Sequence, residues 1–154
     1  MKTTFKVLTL TIAFGLFALH FTGCKKDDPA PNPNPNPTPN PTQVTGTAKL
    51  PVGTSGDLSN AKVSVYSTWD NWNNNSPIKF VAVQGSGATV TFTMPLNAGN
   101  YYLDVWKDAD NSGTWSLGDF VGWYGSGGLG SPLLTEFQLA AEQTLSITID
   151  MYLI

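Results

Sequence analysis

Residues 43–154 are expected to fold as an all-β domain, an antiparallel β-sandwich of about seven strands. Three observations predict this class. Apolar and polar residues alternate at a period of two through the span, which puts the apolar ones on one face of an extended chain. The alternating runs are short, and Gly-, Pro-, Asn- and Ser-rich stretches separate them. No stretch shows a convincing helical period. A span of roughly 110 residues is enough for a two-layer core.

The elements follow in order. Val44, Gly46, Ala48 and Leu50 share one face of the first strand. Residues 51–57, PVGTSGD, form a loop by their Pro, Gly and Ser content. Ala61, Val63 and Val65 alternate with Lys62, Ser64 and Tyr66 in a second strand. Residues 70–77, DNWNNNSP, read as a polar, turn-rich excursion. Strands at 78–84 and 88–94 flank Gly85-Ser86-Gly87 and read as a hairpin. Asn97-Ala98-Gly99-Asn100 turns into a strand at 101–107, and another follows at 120–124. Residues 125–132, GSGGLGSP, read as a flexible loop, because a phosphate cradle needs a following helix and a Lys-Ser/Thr pair. The last strand, 144–153, carries Leu145, Ile147, Ile149 and Met151 on one face.

The N-terminal part differs in kind. Lys2 and Lys6 precede the apolar run VLTLTIAFGLFAL at 7–19, too short for a stable membrane-spanning helix and suited to a signal peptide. Phe21-Thr22-Gly23-Cys24 closes it. This pattern resembles the lipobox of bacterial lipoproteins, with Phe21 where Leu is usual. The resemblance implies that Cys24, acylated with a chain such as palmitate, becomes the first mature residue. The alternative is a cleaved secretory signal and an incidental thiol. Lys25-Lys26-Asp27-Asp28 resembles the export signal of surface-exposed lipoproteins of Bacteroidota, against a plain hydrophilic spacer. Residues 29–42, PAPNPNPNPTPNPT, hold seven of the eleven prolines. Pro at every second position denies helix and sheet, leaving a semi-rigid stalk of roughly 40 Å. The chain thus divides into a signal peptide (1–23), a lipidated, charged and Pro/Asn-rich linker (24–42) and a β-domain (43–154). Its expected place is the outer membrane, lipid-anchored and exposed at the surface.

Charge and composition remove several functions. All eight basic residues are Lys, against eleven Asp+Glu, for a net charge of −3. An acidic chain without Arg does not bind nucleic acid. Removal of residues 1–23 leaves six Lys against the same eleven acids, a net −5. It also removes His20, the sole His, while acylation consumes Cys24, the sole Cys. Ser-His-Asp and Cys-His catalysis, His-based metal centres and disulfides are then excluded.

Val44-Thr45-Gly46-Thr47, Asn60-Ala61-Lys62-Val63-Ser64-Val65-Tyr66 and Ala98-Gly99-Asn100-Tyr101-Tyr102-Leu103-Asp104-Val105 resemble carboxypeptidase-regulatory-like domains. The resemblance spans most of residues 43–154. It implies a transthyretin-like or Ig-like sandwich that binds, spaces or stabilises and does not catalyse.

The sharpest chemical motif is DADNSGTWSLGD at 108–119. With Asp108 at position one, Asp110 falls at three, Ser112 at five, Gly113 at six and Asp119 at twelve. This is the spacing of an EF-hand-type calcium loop, in which a tight turn lets oxygens converge on a hard cation. Asp108, Asp110 and Ser112 would supply side chains, Thr114 its carbonyl, Ser116 a water, and Asp119 would close the sphere. Asp119 replaces the usual Glu, and the flanks read as strands, so the loop is a structural site rather than a helix–loop–helix sensor. Affinity on the order of 10⁻⁴–10⁻³ M is expected, as for extracellular modules. A solvated Asp/Asn/Ser/Gly turn without metal is the alternative.

Five Trp residues are a heavy complement. Tyr102, Asp104 and Trp106 share a strand face opposite Tyr101, Leu103 and Val105. If the aliphatic face is the core, Tyr102 and Trp106 stand exposed beside a carboxylate, while Trp69 and Trp72 lie in the Asn-rich excursion. These four rings are the candidate glycan-binding residues, against the plainer role of covering sandwich edges. Taken together, the sequence predicts a non-catalytic, calcium-stabilised surface module that meets a protein or glycan ligand. A hydrolase would need a carboxylate pair among Asp104, Asp108, Asp110 and Asp119, which are better suited to metal.

Overall fold

The alternation becomes a ladder of strands. The computed structural model describes residues 38–154; the signal segment, Cys24, the charged tetrad and most of the linker lie outside the described residues. The elements are β1 (Gln43–Lys49), β2 (Lys62–Tyr66), α1 (Trp69–Asn73), β3 (Lys79–Ala82), β4 (Thr89–Pro95) and β5 (Gly99–Lys107). They continue with β6 (Phe120–Trp123), β7 (Gly125–Ser126), β8 (Leu133–Leu134), β9 (Phe137–Leu139) and β10 (Thr144–Leu153). Among the described residues, no helix is long and apolar enough to cross a membrane.

The strands run in the order β3-β2-β5-β6-β10-β1-β4, with β9 beside the start of β5 and β7–β8 as a separate ribbon. Strand β10 changes partner along its length. Its residues 144–150 pair with β1, and its residues 151–153 pair with β6. The two end strands are linked where Gln84 and Thr91 exchange backbone hydrogen bonds of 2.7 and 3.0 Å. The layers enclose one core in an arrangement between sandwich and barrel. Val44, Ala48, Val90, Phe92, Ile149 and Met151 meet Val63, Val65, Leu103 and Val105 there. The all-β class predicted from the alternation is the class observed.

At Gly46 the sequence pattern has a specific packing reason. It is the register partner of Phe92, and a Cβ at this position would lie 2.5 Å from the Phe92 ring. The absent side chain is the space that the ring fills.

Four local expectations are corrected. The β1–β10 pairing is parallel, whereas every other ladder is antiparallel; side-chain period is two in both directions, so alternation carries no sign of direction. The expected hairpin around residues 85–87 is a corner: β3 pairs with β2, and a single bridge joins it to β4. The excursion at 70–77 contains helix α1, whose N-terminus is capped by Thr68 accepting from the Asn71 N–H at 3.1 Å. Residues 125–132 are a braced loop, because β7 pairs with β8, and Ser126 and Gly127 carbonyls accept from Trp123 Nε1 and the Tyr152 hydroxyl.

Candidate functional site

The site lies on the outward face of β2, β5 and β6. That face is not open, as the exposed-ring expectation required. Tyr102 and Trp106 are half-buried, and with Trp72, Tyr152 and Ile154 they pack against a second cluster of Val121, Trp123 and Leu134. Helix α1 and the 108–119 loop cover the face between them; their rings meet where Trp72 and Trp115 stand edge to face at 6.5 Å.

The 108–119 loop closes on itself through its own side chains. The Asp108 carboxylate accepts the Ser112 and Gly113 N–H groups at 3.0 and 2.9 Å. Asn111 and Gly113 take positive φ, 58° and 76°, which turns the chain tightly enough to aim these donors inward. Asp110 accepts from the Ser112 N–H at 3.0 Å and the Ser116 hydroxyl at 3.1 Å. Polar contacts from Ser112, its hydroxyl first and its backbone next, then from Ser116, hold the Asp110 carboxyl below the usual range. The Ser112 hydroxyl donates to the Thr114 carbonyl at 2.9 Å, so positions five and seven are adjacent.

Asp119 is fully buried. Its carboxylate accepts from the Ala109 N–H at 2.8 Å, and from the Ser116 N–H and the Trp106 indole at 3.1 Å each. Burial acts to raise its pKa, but these three donations outweigh it and hold the acid below its ordinary value.

One ligand oxygen from each of Asp108, Asp110 and Asp119 lies within 4.8 Å of the others. Two oxygens on one Ca²⁺ at 2.3–2.6 Å are at most about 5.2 Å apart, so this spread fits a single ion. Among the described residues, no ammonium pairs with these three acids; the one ion pair is Lys49–Asp150. Lys107, the nearest Lys in sequence, donates instead to the Ser59 carbonyl at 2.7 Å. The donor set therefore suits a hard divalent cation, with Ser112 and Thr114 beside the three carboxylates.

Beside the loop is a cavity of about 540 Å³, within the range of small-molecule sites. Asp104 lines it together with Tyr66, Trp72, Phe80, Trp106 and Trp115. Asp104 is only 5% exposed. Its carboxylate accepts the Trp72 indole N–H at 2.9 Å and the Tyr66 hydroxyl at 3.2 Å. Burial pushes this acid up to about 7, although both donations pull the other way. The Tyr66 phenol is raised as well, by its own burial first and then by the Asp104 carboxylate.

The candidate residues therefore sort into two groups. Asp108, Asp110, Ser112, Thr114 and Asp119 gather in one loop. Of the four glycan candidates, Trp72 and Trp106 line the cavity, whereas Trp69 and Tyr102 are not part of its lining. Trp69 packs against Trp72 with ring centres 4.8 Å apart and planes tilted by 43°. Asp104 is not part of the group formed by the Asp108, Asp110 and Asp119 oxygens. Tyr66, Phe80 and Trp115 join the cavity lining without a motif of their own in the sequence. For Tyr66, the signal is its place on the outward face of β2 with Lys62 and Ser64, the face that also carries Asp104 on β5. No family model, curated protein or solved structure matches the chain.

Proposed function

We propose that the chain is a lipid-anchored cell-surface binding module, non-catalytic, in which Ca²⁺ holds the 108–119 loop and the adjoining cavity receives the ligand. The observation that carries this reading is the convergence of Asp108, Asp110 and Asp119 oxygens within 4.8 Å in a loop that also lines the cavity. A structural ion there would fix one wall of a binding site, as calcium does in extracellular modules. The anchor rests on the lipobox-like Cys24 and the stalk on the Pro/Asn tract. The likeness to carboxypeptidase-regulatory-like domains agrees with a binding role, and the outer-membrane, surface-exposed location follows from the anchor and the charged tetrad.

Melting the purified protein in millimolar Ca²⁺ and in chelator tests the metal: the expected result is a higher Tm with Ca²⁺, and identical Tm values would remove it. Fatty-acid labelling of cells expressing the wild type and Cys24→Ala tests the anchor, with label expected only in the former. Carbohydrate is the second reading for the ligand, favoured by Trp72 and Trp106 both lining the cavity; a soluble glycan panel, repeated with Trp72→Ala, tests it.

A further inference from the structure

We infer that the cavity between α1, β2, β5 and the 108–119 loop binds a methylated ammonium group on a small organic ligand, with Asp104 as its counter-charge. The inference rests on the cavity being the ligand site proposed above.

A carboxylate that is 5% exposed and lines a cavity is costly unless something offsets it. Among the described residues no ammonium pairs with Asp104. Lys62 lines the same cavity, but its Nζ lies over the Phe80 ring at 4.9 Å, and no ion pair joins it to Asp104. The cavity therefore holds a buried acid that no cation of the described residues neutralises. Its acid, raised to about 7, is ready to give up its proton to the solvent when a cation arrives.

The walls then select the kind of cation. Tyr66, Trp72, Phe80, Trp106 and Trp115 are five aromatic residues among its lining. Aromatic faces attract cations, and most strongly those that shed water easily. A primary ammonium must replace its hydrogen-bond acceptors when it leaves water. Asp104 is poorly placed to supply them, because Tyr66 and Trp72 already donate to its carboxylate. A methylated ammonium needs charge and ring surface around its head, which Asp104 and the five aromatic residues supply; Ser64, Asn73, Asn75 and Thr114, which also line the cavity, are left for the rest of the organic ligand. Neutral sugars gain nothing from the charge of Asp104, whose carboxylate already accepts two donors, and would have to place their hydroxyls on the neutral Ser64, Asn73, Asn75 and Thr114. A metal ion is disfavoured too, since Asp104 is the single carboxylate in the lining and the other side-chain oxygens there, from Ser64, Tyr66, Asn73, Asn75 and Thr114, are neutral.

The test is calorimetric titration of the full protein, in Ca²⁺, with three probes. Choline carries the trimethylammonium group, 3,3-dimethyl-1-butanol is its uncharged isostere, and cellobiose represents neutral sugars. Choline is expected to bind at least tenfold more tightly than its isostere, and cellobiose not to bind. Asp104→Asn, which keeps the side-chain size, should weaken choline tenfold or more; Trp115→Ala should weaken it while leaving the Asp104 hydrogen bonds in place. Equal binding of choline and its isostere, binding of cellobiose alone, or an Asp104→Asn variant with unchanged choline affinity would each overturn the inference. So would failure of all three probes. Melting in Ca²⁺ and chelator, run on the same samples, separates the two claims. A Ca²⁺-dependent Tm without choline binding leaves the calcium-stabilised module standing and removes the ammonium ligand. Choline binding without a Ca²⁺ effect does the opposite.

Discussion

Trp106 donates its indole N–H to the buried Oδ2 of Asp119 across 3.1 Å. One ring thus lines the cavity and also orients the carboxylate that closes the acidic loop. The two halves of the site share a residue, and a change in either is felt by the other.

The first prediction concerns this link. Trp106→Phe keeps a ring but removes the donor, leaving Asp119 two donors of its three. Loss of a group that orients a metal-binding carboxylate typically costs 10–100-fold in affinity. Ca²⁺ affinity of Trp106→Phe, measured by calorimetry, should therefore fall about tenfold. Asp119→Asn should go further and abolish the Ca²⁺-dependent rise in Tm. With a dissociation constant near 10⁻⁴ M, 10 mM Ca²⁺ should stabilise the wild type by about 2.7 kcal/mol. Wild-type affinity in Trp106→Phe would show that the indole does not position Asp119.

Asp104 yields a pH dependence with a definite sign. Its carboxyl is raised from an ordinary 3.8 to about 7 in the folded protein. Below pH 4 the group is protonated in both folded and unfolded chains, and above 7 it is ionised in both. Between these limits the folded state holds a proton that the unfolded state has released. Stability contributed by this group is therefore full at acid pH and is lost as pH rises toward 7, by up to about 4 kcal/mol. The lowered acids Asp57, Asp110 and Asp119 act in the opposite sense, but their contribution is lost only as pH falls below the ordinary carboxylate range. Urea unfolding at pH 5 and 7.5, at fixed Ca²⁺, should show the wild type weaker at the higher pH and Asp104→Asn nearly level. A wild-type curve as level as the variant's would contradict a protonated Asp104.

The strands were legible in the sequence because their physics is local. Val63, Val65, Leu103, Val105, Ile147, Ile149 and Met151 alternate in the chain and are buried in the fold. The loop acids were legible for the same reason: their spacing within twelve residues is itself the geometry. What escaped depends on long-range contacts. The parallel β1–β10 pair joins segments about a hundred residues apart, and alternation looks the same in either direction. The cavity escaped because Tyr102, Asp104 and Trp106 face outward from the core and were read as exposed. They are covered by α1, a helix too short to show a period, although Thr68 and Asp70 carry the signals of a capped N-terminus.

Gly46 gives a packing prediction. Gly46→Ala places a methyl 2.5 Å from the Phe92 ring, and it also meets the Ile147 carbonyl of the neighbouring strand. Overpacking of this kind costs about 1–3 kcal/mol. Phe92→Leu in the same chain should relieve only part of the loss, because the backbone carbonyl cannot rotate away. Urea unfolding of the two single variants and the double variant measures the coupling. Full rescue by Phe92→Leu would mean that the ring alone sets the requirement for glycine.

The remaining prediction isolates the Trp72–Asp104 hydrogen bond. The indole N–H donates to Oδ2 at 2.9 Å and favours the ionised carboxylate, against burial, which opposes it. Trp72→Phe removes the donor while retaining a ring beside Trp69 and Trp115. The Asp104 carboxyl should then titrate higher, by about one to two units, since a hydrogen bond to a charged group is worth about 1.5–3 kcal/mol. Carbon-13 NMR of the side-chain carboxyl reads this shift directly. The accompanying loss of stability should be larger at pH 8, where the wild-type group is ionised, than at pH 5, where it is protonated. That asymmetry distinguishes a lost charge-stabilising donor from a packing defect, because a cavity left by the smaller ring would weaken the fold equally at both pH values.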